Sequence, residues 1–438
     1  MTETNTILIV GGGWAGLSCA VELTRLGHPV QLFESARQLG GRARRVTLAN
    51  HSVDNGQHLL LGAYHHTLDL LTFLGVPDTT FLRQPLHLSL RDRRNKHIEM
   101  KSADWPAPFN LLLGLLMAKG FSLTDRLRAI RFGARLWRNK VMPERDISVT
   151  DLLQQEHQTA TLIQQLWEPL CLASLNTPIA LASAQVFIRV VGDAFCQAQH
   201  DSDLLLPQVD LSTLLPDRAA EYIVQHGGRV HLSQRVDELQ IEKRQVTGLS
   251  IQDKRHTADH VVLALPPHAC QPLIKPFPAL QTLAYALSGF SYEPICTVYI
   301  QYPVSVSTDQ PMQGFIGTTA QWVIDRHITG HPGLMAVVIS SRGPHLDMEH
   351  TQLADHICAE LKHAFPHWPQ PDDVQILCEK RATFSCRVDI QRIRPENTTA
   401  IRHLWLAGDH TNTGYPATIE GAVQSGLRCA QRIHENKQ

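Results

Sequence analysis

Four apolar residues, Ile7-Leu-Ile-Val10, run without a break into three consecutive glycines, and residues 14–26 then keep helical apolar spacing as far as Gly27. A short unbroken apolar run bounded by glycine predicts a strand buried on both faces, and the 3.6-residue spacing closed by glycine predicts a helix. Val30–Glu34 predicts a second strand, so the chain opens as a β-turn-α-β unit. From about 65 to 200 the apolar spacing is helical, interrupted at Pro77, Pro85, Pro106, Pro143 and Pro178. After Gly227-Gly228 the period shortens, and residues 229–232, 236–242, 246–252 and 259–265 predict successive short strands that stop at Pro266-Pro267. Further strands near 295–302 and 334–340, a helix near 351–364, a strand over 404–407 and a helix over 420–433 complete the pattern.

Composition narrows the class of protein. The 438 residues are 43% hydrophobic and 18% charged, which describes an ordinary folded chain. Forty basic side chains stand against 41 acidic ones, so nothing global predicts a nucleic-acid partner. No basic segment and cleavage site precede the first strand, and no signal peptide is expected. The longest strongly apolar segment, Phe109 to Ala118, falls short of the roughly 18 residues of a spanning helix. Nine scattered cysteines, odd in number and without Cys-x-x-Cys, predict a reduced, cytoplasmic setting. The 24 histidines show no metal-ligand spacing, and no metal is expected.

The glycines at the first turn form Gly-x-Gly-x-x-Gly, with Gly11, Gly13 and Gly16 followed by a helix that includes Trp14 and Ala15. The first glycine permits the tight turn, the second lets a pyrophosphate approach the backbone, and the third lets helix and strand pack closely. Glu34 stands eighteen residues after Gly16, where a carboxylate accepts the ribose hydroxyls of a dinucleotide. Other segments select the dinucleotide. Gly40-Gly41-Arg42 can cradle a second phosphate, Gly56 with Gln57 and His58 allows close backbone approach, and Gly408-Asp409 sits beside a new helix start at Thr418, Ile419 and Glu420. Asp409 is suited to the ribityl chain or to waters near the pyrophosphate. A nicotinamide enzyme has no use for this distant set, so the cofactor expected is FAD. It is expected to be non-covalent, because no cysteine lies in 406–422. The predicted fold class is α/β, a discontinuous Rossmann-like FAD-binding domain (1–85, 207–275 and 395–438) with an inserted α+β substrate domain (86–206 and 276–394).

These residues resemble the superfamily of FAD-dependent amine oxidases and polyene desaturases. The resemblance implies that the backbone at Val236 contacts adenine. It also implies that the residue two before Glu420-Gly-Ala is an aromatic wall in amine oxidases; here it is Thr418, which weakens an amine substrate. The segments Asp54–Tyr64, Ala173–Pro178, Asp203–Pro207, Tyr292–Ile295, Glu379–Phe384 and Tyr415–Gly421 resemble the hydroxysqualene dehydroxylase family, also called squalene-associated FAD-dependent desaturases. That resemblance spans nearly the whole chain. It implies a C30 isoprenoid substrate, hydroxysqualene, reduced to squalene in hopanoid biosynthesis. It also implies an external electron donor, since the chain has no second dinucleotide motif. By superfamily position His58 and Tyr415 are the candidate catalytic residues, with Lys380 a more distant one. A desaturase running hydride transfer from substrate to FAD, and a non-enzymatic isoprenoid escort protein of the same fold, are the alternatives.

The segment 109–140 bears on where such a substrate is met. After the apolar 109–118, residues Leu123, Leu127, Ile130, Ala134 and Trp137 share one helical spacing while Arg126, Arg128, Arg131, Arg135, Arg138 and Lys140 mostly face elsewhere. A basic amphipathic helix beside an apolar one predicts either a membrane-surface element or a pair of core helices with a solvated arginine face. The first places the protein peripherally on the inner face of the membrane.

Overall fold

Strand β1 (Ile7–Val10) is buried at all four positions because it lies inside a parallel sheet, between β2 (Val30–Phe33) and the strand His260–Leu263. Such a strand has protein on both faces, which is why its sequence is continuously apolar rather than alternating. Strands Arg229–His231 and Leu404–Leu406 extend the sheet at its two edges, also parallel. Helix α1 (Trp14–Arg25) packs on this sheet and against the terminal helix Ile419–Glu435. The two ends of the chain therefore meet at one place. The computed structural model describes residues 6–48 and 51–436.

The second sheet has seven strands, in the order Asp373–Phe384, Tyr292–Gln301, Leu334–Ser340, Trp322–Asp325, Met312–Ile316, His87–Asp92 and His97–Lys101. Its last two strands correct the helical expectation for 65–200, as does the strand Phe81–Gln84. Leu88 with Leu90, and Ile98 with Met100, alternate with polar residues at a period of two, but the runs are too short to stand out beside the long helical pattern that follows. Helix His350–Ala364 covers one face of this sheet through Leu353, Ile357 and Leu361.

Two cysteines are not the scattered thiols expected from sequence. Antiparallel register sets Cys296 opposite Cys378, and the two are joined in a disulfide. Register is a tertiary property, so a spacing of 82 residues gave no hint of it.

After the strand His97–Lys101 the chain runs through helices Phe109–Met117, Leu123–Trp137, Val149–Gln155, Glu168–Leu175 and Ala184–Cys196. Helix Leu123–Trp137 opens with a capping box between Ser122 and Asp125, and it packs through Ala129, Phe132 and Leu136. The stripe singled out from sequence is a different one: Leu123, Leu127 and Trp137 are exposed. Among the described residues, no helix is long and apolar enough to cross a membrane.

Candidate active site

The turn between β1 and α1 is shaped by what cannot fit. Gly11 has φ +109°, and a Cβ on it would run into the Ala264 carbonyl; one on Gly16 would run into the carbonyl of Gly11. Helix α1 starts at Gly13 with no side chain capping its N–H groups and no acid in its first turn. The Cβ direction of Gly13 is open up to the Cα of Gly41, 3.9 Å away. An uncapped helix N-terminus facing open space between two glycines is an anion cradle. The indole of Trp14 donates to the Ala43 carbonyl (2.9 Å) and the Gly40 N–H donates to the Gly12 carbonyl (2.8 Å), which folds the 40–43 loop over that helix start. Ala15 is buried beneath it.

At the end of β2, the Glu34 carboxylate accepts from the N–H groups of Gly12 (2.7 Å) and Ala36 (2.8 Å). It thereby pins the glycine turn, and a carboxylate keeps lone pairs for further donors beyond these two. The Gln234 N–H donates to the Glu34 carbonyl (2.9 Å), bringing Val236 to the same edge.

Arg42 connects this end to the other. Its guanidinium donates to Asp409 Oδ2 (2.7 Å) and to the Ala382 carbonyl (3.0 Å). Burial pushes the Asp409 carboxyl upward, but Arg42 beside it, helped by His410 and Arg394, holds it below the usual carboxylate range. The Gly408 N–H donates to Ser425 Oγ (2.9 Å), and Arg394 supports the loop from below by donating to the Asp409 and Thr411 carbonyls.

Three residues expected at the cofactor have side chains committed elsewhere. The Gln57 amide donates to the Tyr299 hydroxyl (2.7 Å) and accepts from Arg326 (2.6 Å), tying the loop after the strand His51–Asp54 to the seven-stranded sheet. The Glu420 carboxylate accepts from the backbone of His66 and Thr67, from Thr67 Oγ1 and from His66 Nδ1, so it caps the helix His65–Phe73. Thr418 Oγ1 accepts from the Gly421 N–H (3.1 Å), capping the terminal helix whose first residue is Ile419. Gly56, with φ +128°, remains a point of backbone approach.

The candidate catalytic residues separate clearly. Burial lowers the His58 imidazole to about 4, against the Gly56 carbonyl that faces its Nδ1 at 3.3 Å. A ring neutral at pH 7 is not a proton-donating imidazolium. Lys380 is exposed on its strand. Tyr415, in contrast, donates its hydroxyl to Asp193 Oδ2 at 2.7 Å. Arg189 donates to the same oxygen (2.5 Å), and its guanidinium lies 5.2 Å from the Tyr415 ring centroid. Burial first, and the Asp193 bond second, push the phenol up to about 12. Asp193 and Arg189 were absent from the sequence expectations. Their only linear signal is an i,i+4 ion pair on the mostly apolar helix Ala184–Cys196.

Several of the segments that carried the family resemblance contact one another. Asn176, in a left-handed conformation (φ 48°), donates to the Pro294 carbonyl (3.3 Å) and Thr383 Oγ1 (2.9 Å) and accepts from the Ser341 N–H (2.7 Å). Strand Leu204–Pro207 pairs with Leu60–Leu61 on one side and Phe81–Gln84 on the other.

A parallel sheet with an uncapped helix start, a carboxylate at the end of the second strand and a far-end Arg42–Asp409 pair, accompanied by a second, mostly antiparallel sheet, defines a flavin-dependent oxidoreductase. A family model described as flavin containing amine oxidoreductase matches residues 14–434, and the chain belongs to that family. The cofactor is FAD, since the family contains flavin and the cradle is built for a dinucleotide. The chain is 27% identical to a hydroxysqualene dehydroxylase of Sinorhizobium fredii, over 96% of each protein. It is 23% identical to a zeta-carotene desaturase of Arabidopsis thaliana, covering 98% of this chain and 85% of that protein. Its fold matches cyclohexylamine oxidase from Brevibacterium oxydans with a TM-score of 0.72 at 16% identity, over 99% of both chains.

Proposed function

We propose that the chain removes the hydroxyl of hydroxysqualene reductively, giving squalene. FAD, when bound and reduced by an external donor, would supply the hydride for the new C–H bond, the hydroxyl leaving as water once it is protonated. The chain's own task is to bind the cofactor, protonate the departing oxygen and keep water away. Gly11, Gly13, Trp14, Ala15, Gly16, Gly41 and Arg42 take the pyrophosphate, Glu34 the adenosine ribose, and the Val236 backbone the adenine. Asp409 and the backbone at Gly56, Gln57, Gly408, Thr418, Ile419 and Glu420 face the flavin end.

The observation that carries the reading is the Tyr415–Asp193–Arg189 cluster. An allylic alcohol ionising toward its cation needs one acid in a site otherwise poor in nucleophiles. Tyr415 keeps its proton at neutral pH, and the Arg189 cation over its ring favours the phenolate left after transfer. Where amine oxidases resembling this chain place an aromatic wall, Thr418 is a helix cap, so the geometry does not favour an amine. The name of the Sinorhizobium relative agrees with the reading. The test is anaerobic. Enzyme pre-reduced with dithionite should convert hydroxysqualene to squalene in one turnover, with the flavin absorbance returning; dehydrogenation of squalene or a carotene by oxidised enzyme, without dehydroxylation, would transfer the case to a desaturase.

The same reading seats the protein on the inner face of the membrane, where so apolar a substrate resides. Support comes from the exposed side chains of Phe109, Leu116, Met117, Leu123, Leu127 and Trp137, which lie on two neighbouring helices with Arg131 and Arg138 exposed beside them. Contiguous exposed apolar surface rimmed by cations suits an anionic bilayer.

A further inference from the structure

Glycine inside a helix lowers stability relative to alanine, so each one calls for a reason. Six glycines lie within helices among the described residues, and packing accounts for five of them. A Cβ on Gly16, Gly114 or Gly426 would run into a carbonyl oxygen of a neighbouring segment. One on Gly133 would stand 3.4 Å from Leu112, and one on Gly421 3.3 Å from the Pro416 carbonyl. Gly192, on the helix Ala184–Cys196, is different. A Cβ there would meet no neighbouring atom within 4 Å, and its backbone is not in the left-handed region that favours glycine.

The surroundings of this bare position are specific. Residues three and four apart are neighbours on a helix surface, so Gly192 lies between Arg189 and Cys196 on one side and Ile188 and Phe195 on the other. Asp193, the next residue, accepts from the Tyr415 hydroxyl at 2.7 Å and from Arg189 at 2.5 Å. Ile188 is buried and Phe195 half-buried. The open space over Gly192 therefore borders the proposed acid along one edge and apolar side chains along the other. Burial pushes the Cys196 thiol up to about 11, so it stays protonated and offers no thiolate to an allylic cation.

We infer that Gly192 is a specificity-determining position, where the isoprenoid chain of the substrate crosses the helix Ala184–Cys196 beside its carbinol carbon. The inference rests on the proposed dehydroxylation with Tyr415 as the acid. A planar allylic segment can lie flat against bare helix backbone, and a side chain at 192 would lift it, and the carbinol oxygen with it, away from Tyr415. Alanine at 192 then stabilises the helix while it weakens substrate binding. A surface glycine that touches no ligand would give the first effect without the second.

The experiment compares wild type, Gly192→Ala and Gly192→Leu, each loaded with FAD. Both variants are expected to melt at or above the wild-type midpoint and to carry the same flavin content. In anaerobic single turnover of pre-reduced enzyme, the half-saturating hydroxysqualene concentration should rise about threefold in Gly192→Ala and more than about tenfold in Gly192→Leu. Binding is followed separately, through the change that added hydroxysqualene makes in the absorbance of the oxidised flavin. Wild-type affinity and rate in Gly192→Leu overturn the inference and leave the dehydroxylation standing. A lowered melting midpoint together with weakened binding in both variants marks Gly192 as structural and overturns it too. If wild type binds the alcohol without turning it over, the dehydroxylation falls, and the inference is kept by weakened binding in Gly192→Leu or overturned by unchanged binding. Failure of wild type to bind the alcohol removes both. If Gly192→Leu does not fold, Gly192→Ala decides by the same readouts.

Discussion

The hydroxyl of Tyr415 lies 2.7 Å from Oδ2 of Asp193, two groups 222 positions apart in the chain and contributed by different structural layers. One stands on the loop that leads into the terminal helix, the other on the helix Ala184–Cys196. To protonate a departing oxygen the Tyr415 O–H turns from Asp193 to the substrate, leaving the Asp193 carboxylate paired with Arg189. Tyr415→Phe should lower the single-turnover rate with hydroxysqualene by roughly 10²-fold or more, the usual scale for losing a general acid, with FAD content unchanged. Asp193→Asn keeps an acceptor and should cost less. Rapid-quench product analysis checks both, and an undiminished rate in Tyr415→Phe removes it from the chemistry.

Glu34 has two jobs in the geometry, since it holds the Gly12 N–H and stands where the ribose is expected. Glu34→Ala should therefore weaken FAD at least tenfold, because charge-assisted bonds contribute about 1.5–3 kcal/mol each. Glu34→Gln retains one carbonyl acceptor and should fall between the two. Fluorescence titration of apoprotein measures this series, and equal affinities would show that Glu34 only shapes the turn.

Acid stability has a sign that can be worked out. His58 and His410 are depressed to about 4 in the fold, against an ordinary value near ~6.5, so the unfolded chain binds more protons in that interval. Their contribution is present above about pH 6.5 and is lost as pH falls toward about 4. Asp54 acts oppositely. Burial raises its carboxyl to about 6, against the Leu211 N–H and Arg326, so the folded chain binds the extra proton and gains stability as pH falls through about 6 to 4. Two histidines outweigh one aspartate, and the apoprotein should lose stability between pH 6.5 and 4.5. His58→Gln should flatten that loss and Asp54→Asn should steepen it, by about 1–3 kcal/mol each in urea denaturation. A steeper profile in His58→Gln would contradict the assignment.

Membrane docking is tested on the apolar surface rather than on the arginines as a group. Arg135 is paired with Glu156 and Arg128 donates to the His157 carbonyl, so neither is free for a headgroup. Leu123→Asp with Leu127→Asp removes two exposed side chains, each able to contribute about 1.5–3 kcal/mol on burial, and should abolish co-sedimentation with anionic vesicles while leaving FAD bound. Arg131→Glu with Arg138→Glu should weaken sedimentation and its salt dependence, at about 1 kcal/mol per charge. Sedimentation equal to wild type in the leucine pair would mean that this surface meets something other than lipid.

Local information sufficed wherever chemistry and geometry lie within a few residues of each other. The strand-turn-helix around Gly11–Gly16, the strand ending at Glu34 and the terminal helix were legible because buried strands, glycine turns and helix periods are written at short range. The shape of the glycine turn followed from the same residues in part, because at Gly16 the excluding group is the Gly11 carbonyl five residues back. What the tertiary structure alone decided are the pairings between distant segments. Glu420 reads as a flavin contact in sequence, yet its carboxylate caps the helix His65–Phe73; Gln57 reads likewise, yet bridges to Tyr299 and Arg326. A side chain's type and position do not say which way it turns when two layers compete for it. Cys296 and Cys378 met through strand register, and Asp193 joined Tyr415 through helix placement, both of which depend on how layers dock. The same holds for the helix Leu123–Trp137, where sequence marked an apolar stripe correctly but packing used the neighbouring one. Periodicity identifies a face that can be buried, and only the competition among all the faces in the fold determines which face stays open to the surface.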